Sequence, residues 1–288
     1  MSEQETFFSR ANALLDRIES LLPPAAENTG ADESPAFRWV HQGYRGALQP
    51  VRDIAPVRLD DLLCIERQKN RIVRNTRQFL AGLPANNALL WGPRGTGKSS
   101  LLKALLNEFA DQGLRLVEVE KSLLGDLPAI VEQLPADDYR YIIYCDDLSF
   151  EAGDPGYKAL KVTIDGSLSR IPDNLLIYAT SNRRHLLPEY QQDNQDSGII
   201  DGELHYGEAV EEKISLSERF GLWLAFHPFS QDDYLHIVSH WLNHFGIRKV
   251  DDETRRLALQ WALEHGSRSG RAAMQFARDR SGRMQLDE

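Results

Sequence analysis

"LLWGPRGTGKSSLL", residues 89–102, sets three glycines and one lysine between two apolar runs. Gly92, Pro93, Arg94, Gly95, Thr96, Gly97, Lys98 and Ser99 fit the pattern G-x-x-x-x-G-K-[ST] at every fixed position, and Ser100 opens the run that follows. The run before it, "ALLW" at 88–91, has the composition of a buried strand, and "SSLLKALLNEFA" after it has helical spacing. Strand, glycine loop and helix in that order predict a loop whose amide N–H groups turn inward around an anion, in backbone conformations that a Cβ would obstruct. The partial positive charge of the helix N-terminus falls at the same point. Lys98 is then placed to reach β- and γ-phosphates, and the Ser99 hydroxyl to ligate Mg²⁺.

Outward from this loop, short β-rich runs alternate with helix-length segments: "ALLW", "LRLVEV", "YIIYCD", "LLIYAT" and "LWLAFH". Strands separated by helical crossovers predict an α/β fold, a parallel sheet covered on both faces. Residues 59–82 have helical periodicity and end at a glycine. After His227-Pro228 the strand signals stop, and helical segments at about 231–245, 252–265 and 269–280 predict a small all-helical domain. The expected organisation is an N-terminal helical extension and linker over 1–52, an α/β nucleotide-binding core over 53–227 and a helical domain over 228–288. Within the extension, 7–22 has helical spacing, and "PPAAENTGADESP" supplies a flexible linker. The polar, acidic stretch 189–212 is expected to be a loop insertion.

The strand "YIIYCDD" ends in two acids. Asp146 emerges at the C-terminal edge of the sheet, beside the glycine loop, where it can hold Mg²⁺ through water. Asp147 is the candidate base that polarises an attacking water. "LLIYATSN" ends in Thr180, Ser181 and Asn182, polar groups expected at the same edge, and Asn182 can hydrogen-bond both water and phosphate. "SLSERFG", 215–221, carries Arg219, the candidate for an arginine supplied in trans to a neighbouring subunit's phosphates, which requires an oligomer. "GSRSGRAAMQFARD" puts Arg268 and Arg271 at the start of the last helix, and Arg271 is preferred as the residue that folds back over the γ-phosphate.

The formal charge of −10 lacks the overall basic field that drives non-specific nucleic-acid or membrane binding, though it leaves room for a local basic patch. Cys64, in a helical stretch, and Cys145, in an apolar run, lie far apart without metal-ligand spacing, and are expected to be buried thiols in a reducing cytosol. The N-terminus shows no secretory signal and no run of eighteen apolar residues occurs, so a soluble cytoplasmic protein is expected.

The ordered set of Gly92 to Ser99, Asp146 with Asp147, Asn182, Arg219 and Arg271 resembles the AAA+ ATPases over about residues 55–288. More narrowly, "AGLPANNALLWGPRGTGKSSLLKALL", "CDDLSF", "YATSNRRHLLPE" and "SLSERFGLWLAFHPFSQDDYL" look like an uncharacterised bacterial AAA+ ATP-binding family, a domain of unknown function, and "SxRFG" is also similar to the arginine-finger region of bacterial replication initiators. The resemblance implies a five-stranded parallel sheet between helices followed by a helical lid, with ATP in the cleft between them. It further implies Mg²⁺ as cofactor, a homo-oligomeric ring such as a hexamer, the next subunit's Arg219 at each site, and Ile65, with neighbours from Leu62, bordering the adenine. Two features depart from the family pattern: Asp147 stands where a glutamate is usual, and Thr180 or Asn182 could each match the first sensor. Two functions from different classes follow: an ATPase that remodels a protein or protein–nucleic acid complex, or an ATP-dependent switch or loader acting on DNA or a replication enzyme with little turnover.

Overall fold

The computed structural model describes residues 34–286, except 44, 136, 151–153, 166–171, 185, 187–197, 201–202, 206–215 and 217. Its centre is a seven-stranded sheet. Two strands come first in the chain, β1 (Ala36–Gln42) and β2 (Arg45–Pro50). The five expected strands then follow: β3 (Ala88–Trp91), β4 (Leu114–Glu118), β5 (Arg140–Cys145), β6 (Leu175–Ser181) and β9 (Leu222–Ala225). The spatial order is β2-β1-β4-β5-β6-β3-β9, and the five expected strands run parallel throughout.

Alternate residues of these strands feed two separate cores, as parallel strands buried on both faces must. Ala88, Leu90, Leu116, Ile142, Tyr144 and Tyr178 point to one face, with α1 (Glu66–Leu80), α2 (Lys98–Phe109) and the C-terminal helices. Leu89, Val117, Ile143, Cys145, Ile177 and Ala179 point to the other, with α3 (Leu127–Gln133) and α4 (Pro155–Asp165). The last three helices, α5 (Gln231–His244), α6 (Asp252–Glu264) and α7 (Gly270–Gln285), match the expected segments. Ser230, Asp251 and Ser269 cap them, each side chain accepting a backbone N–H from three residues on. Phe229, Tyr234, Ile237, Ala273 and Phe276 belong to the same core as α2, so these helices share apolar packing with the sheet.

Three stretches differ from the sequence expectation. β1 and β2 form an antiparallel hairpin, and β1 adds to β4 in parallel, so part of the stretch expected as a helical extension and linker extends the sheet. The cause is local alternation: Phe37 and Trp39 are buried on either side of exposed Arg38, and the Trp39 indole N–H donates to Asp126 Oδ2 at 2.8 Å. The helical spacing at 7–22 lies outside the described residues. Second, the helix expected over 59–82 is broken: a 3₁₀ turn at Leu59–Asp61 precedes α1, and Cys64 sits between them at φ 61°, half-buried rather than helical. Lys69 holds this segment, its ammonium donating to the Leu59 and Leu62 carbonyls at 3.1 and 3.0 Å. Third, the 189–212 insertion contains a short antiparallel strand pair, β7 (Gly198–Ile200) with β8 (Glu203–His205).

Cys145 is buried, its thiol pushed up to about 12 by burial, and Cys64 to about 11 by burial and the nearby Asp233. Both are free. Among the described residues no helix is long and apolar enough to cross a membrane.

Candidate functional site

Strand order brings the chemistry together. β3, β6 and β5 are successive neighbours, so the segments leaving their C-terminal ends, Gly92 onward, Asn182, and Asp146 with Asp147, emerge side by side. The Gly92 N–H donates to the Ser181 carbonyl at 3.1 Å, tying the loop to the end of β6.

Two glycines show why the loop tolerates no side chain. Gly92 has φ 139°, and a Cβ there would lie 2.2 Å from the Phe226 carbonyl oxygen. Gly95 has φ 76°, and its Cβ would lie 2.7 Å from Ser269 Cβ at the mouth of α7. The Gly270 N–H donates to the Gly95 carbonyl at 2.9 Å, so the last helix starts on the loop itself. Gly95→Ala is therefore expected to lower Tm: the left-handed backbone alone costs about 1–2 kcal/mol with a Cβ, and the α7 contact must shift. A thermal melt equal to that of the native chain would contradict this packing.

Thr96 is buried and its hydroxyl donates to the Pro93 carbonyl at 2.8 Å, closing the loop, while Pro93 and Arg94 are exposed. Lys98, at the first turn of α2, is buried, and its ammonium donates to the carbonyls of Gly92 (2.6 Å) and Pro93 (2.8 Å) and to Asn182 Oδ1 (3.2 Å). Burial holds its pKa below the ordinary lysine value, against the pull of Asp147 and Asp146. Ser99 follows, its hydroxyl donating to Asp146 Oδ1 at 2.7 Å; Ser100 is half-buried on the same turn.

Asp146 also accepts the Thr180 hydroxyl, at 2.5 Å. Burial opposes its ionisation, yet these hydrogen bonds hold the carboxyl below the usual carboxylate range, so it stays an anion. Asp147 leaves the strand in the left-handed region, φ 51°, which aspartate tolerates better than most residues, and its N–H donates to Thr180 Oγ1 at 2.9 Å. The Asp147 carboxylate accepts the Asn182 amide and pairs with Arg94, Nη2 to Oδ2 3.1 Å. Of the two residues left open by the sequence, Thr180 is thus bonded to the acidic strand end, while Asn182 touches both Lys98 and Asp147.

Ile65 is buried, its Cδ1 3.5 Å from where a Cβ on Gly97 would lie, so it borders the loop from the α1 side. Arg271 is exposed on the first turn of α7, its Cβ 3.8 Å from a Cβ built on Gly95; Arg268 is exposed just before that helix. Arg219 is not brought to this site. It precedes β9 at the N-terminal edge of the sheet, where Leu222 aligns with Ala88, and its guanidinium pairs with Asp165 at the end of α4. Four strand residues at about 3.3 Å each separate that edge from the loop.

The sequence reading missed the Arg94–Asp147 pair, the Ser269-Gly270 seat on Gly95, and the Tyr144 hydroxyl, buried beside Ser99 and Asp146. All three depend on tertiary packing. The only local trace is an arginine inside the glycine loop.

Loop, acidic strand end and helical C-terminal segment on a parallel sheet define a P-loop ATPase fold of the AAA+ type. The family described as "Protein of unknown function (DUF815)" matches residues 32–284, and the chain belongs to it. Among solved structures it is similar to the RuvB Holliday junction branch migration motor of Thermotoga maritima, with TM-score 0.54, 15% identity, and coverage of 78% of this chain and 64% of that one. A lysine-to-arginine point mutant of that motor gives TM-score 0.56 at 14% identity, covering 82% and 68%. A 77-residue stretch is 32% identical to the replication factor C large subunit of Ignicoccus hospitalis, 26% of this chain but only 16% of that subunit.

Proposed function

We propose that this protein is a Mg²⁺-dependent ATP hydrolase that acts as a homo-oligomer and uses turnover to remodel a protein or protein–nucleic acid complex. The observation that carries the reading is the convergence of Lys98, the Ser99–Asp146 pair and the Asp147–Asn182 pair at one sheet edge, on a loop where Gly92 and Gly95 have no room for a Cβ. Such an edge suits a triphosphate.

Lys98 binds the β- and γ-phosphates, exchanging the Gly92 and Pro93 carbonyls for phosphate oxygens. Ser99 and Asp146 would hold Mg²⁺, which would supply charge neutralisation for the phosphates. The donor set fits: a hydroxyl and a carboxylate kept ionised, 2.7 Å apart. Asp147 orients and polarises the attacking water, with Asn182 fixing its carboxylate, and Ile65 borders the adenine. Arg271 approaches the γ-phosphate from α7. Arg219 lies at the far sheet edge, too distant for its own protomer's phosphates, which supports a role at the neighbour's. The same reading sets the protein in the cytosol, in keeping with its two free thiols.

Asp147→Asn tests the chemistry. It keeps the side-chain volume and removes the base, so turnover is expected to fall by about 10²–10⁴-fold while ATP affinity is retained. Native turnover in that variant would rule Asp147 out as the base.

A second reading, an ATP-dependent switch or loader on DNA with little turnover, draws on one observation: Asp147 is shorter than glutamate and is engaged by Arg94. The likeness to proteins named as a Holliday junction branch migration motor and a replication factor supports the DNA part of this reading. Tight ATP binding without phosphate release would favour it.

A further inference from the structure

The net charge hides a basic face. α1, "ERQKNRIVRNTRQFL", carries five basic residues and one acid in a chain whose overall charge is −10. Arg67, Arg71, Arg74 and Gln78 recur at i, i+4, i+7 and i+11, which is one helix face. The flank of this face beside β9 is anchored: Gln68 donates to the Ala225 carbonyl (2.7 Å) and Arg71 to the Trp223 carbonyl (3.2 Å), covering the free edge of β9, and Asn75 donates to the Asn86 carbonyl (2.8 Å). The side chains of Arg67, Arg74 and Gln78 are exposed and make no hydrogen bond or ion pair with any other described residue.

Between this face and the start of β9 lies an open cavity of about 410 Å³. Arg71, Arg74, Asn75, Gln78 and Asn86 line it, and among the described residues Leu222 is its one apolar side chain and no carboxylate contributes. Asn86 and Leu222 flank the N-terminal ends of β3 and β9, a strand's length from the glycine loop, so the cavity is separate from the nucleotide site. Its donors outnumber its acceptors, and Arg71 keeps most of its guanidinium N–H groups free after bonding Trp223.

We propose that α1 and this cavity bind the phosphodiester backbone of a nucleic acid, with Arg67, Arg71 and Arg74 on successive phosphates. The stripe from Arg67 to Gln78 is about 16 Å long at 1.5 Å per residue, close to the axial span of about five phosphates on one strand. An acidic protein partner fits less well. Protein interfaces centre on buried aromatic and apolar anchors, whereas this cavity has one leucine, and polar, positively charged surfaces mark nucleic-acid contacts. The Gln78 and Asn86 amides add donors and acceptors beside the phosphates.

The test is fluorescence anisotropy of the full chain with a labelled mixed-sequence oligonucleotide, as single strand and as duplex. Three phosphate contacts predict duplex affinity falling about 40-fold between about 50 and 200 mM salt. In the Arg67→Ala/Arg74→Ala double variant binding weakens and the same salt change costs only about 3- to 4-fold. The Arg67→Lys/Arg74→Lys variant keeps the native salt slope. Arg67 and Arg74 are exposed and lie outside the glycine loop, so oligonucleotide-free ATP hydrolysis stays native, separating this proposal from the reading of the nucleotide site. No binding to either form at the lower salt, or an unchanged salt slope in the alanine pair, would overturn it. So would a change of oligomeric state in the alanine pair without oligonucleotide binding, which would make the face a subunit contact.

Discussion

Arg219→Ala is expected to lower ATP turnover by about 10³–10⁵-fold, the range for an arginine acting in trans on a phosphoryl group, while ATP affinity changes little. Within one protomer the side chain pairs with Asp165, at the sheet edge opposite the glycine loop. Its removal therefore leaves Lys98, Asp146 and Asp147 untouched. A mixing experiment makes the expectation sharp. Lys98→Ala lacks the lysine in its own loop but presents an intact Arg219; Arg219→Ala has the converse defect. Each alone is inactive, and their mixture recovers activity at sites composed of one chain's Lys98 and the other's Arg219. Absence of recovery in a mixture shown to co-assemble would deny the shared site.

Lys98→Ala is expected to weaken ATP binding by about 10²–10⁴-fold, from the loss of two charge-assisted hydrogen bonds to phosphate at about 1.5–3 kcal/mol each. The buried ammonium is also the common donor for the Gly92 and Pro93 carbonyls and Asn182, so alanine leaves three acceptors without it. Loop geometry loosens together with phosphate contact. Calorimetric titration with ATP checks the loss; native affinity in the variant would overturn the assignment of the loop.

The proposed nucleotide site was legible where chemistry is written in short contiguous patterns. Gly92 to Ser99 states its own backbone requirement, and "YIIYCDD" and "YATSN" announce acids and amides at strand ends that a parallel sheet must bring to one edge. What alternation carries was also available: Phe37 and Trp39, buried on either side of exposed Arg38, mark a strand. That run is short and interrupted by charge, and its pairing with β4 joins residues 80 positions apart in sequence. The break at Cys64 was hidden because Leu62, Leu63 and Ile65 satisfy helical spacing as well as they do a turn packed on the core. Thr180 and Asn182 could be separated only by contacts across strands, and the Gly270 seat on Gly95 only by the docking of α7. The basic face of α1 is present in the letters 67–78, but the cavity beside it depends on Asn86 and Leu222, brought there by the sheet.

The most direct measurement of the central claim, hydrolysis at a site shared between protomers, is the specific rate of Mg²⁺-dependent phosphate release from ATP by the native chain across a wide range of protein concentration. The account predicts a rate per chain that climbs with concentration and levels off as protomers assemble. Turnover per chain that is independent of concentration while assembly changes, or its absence at every concentration, would contradict it.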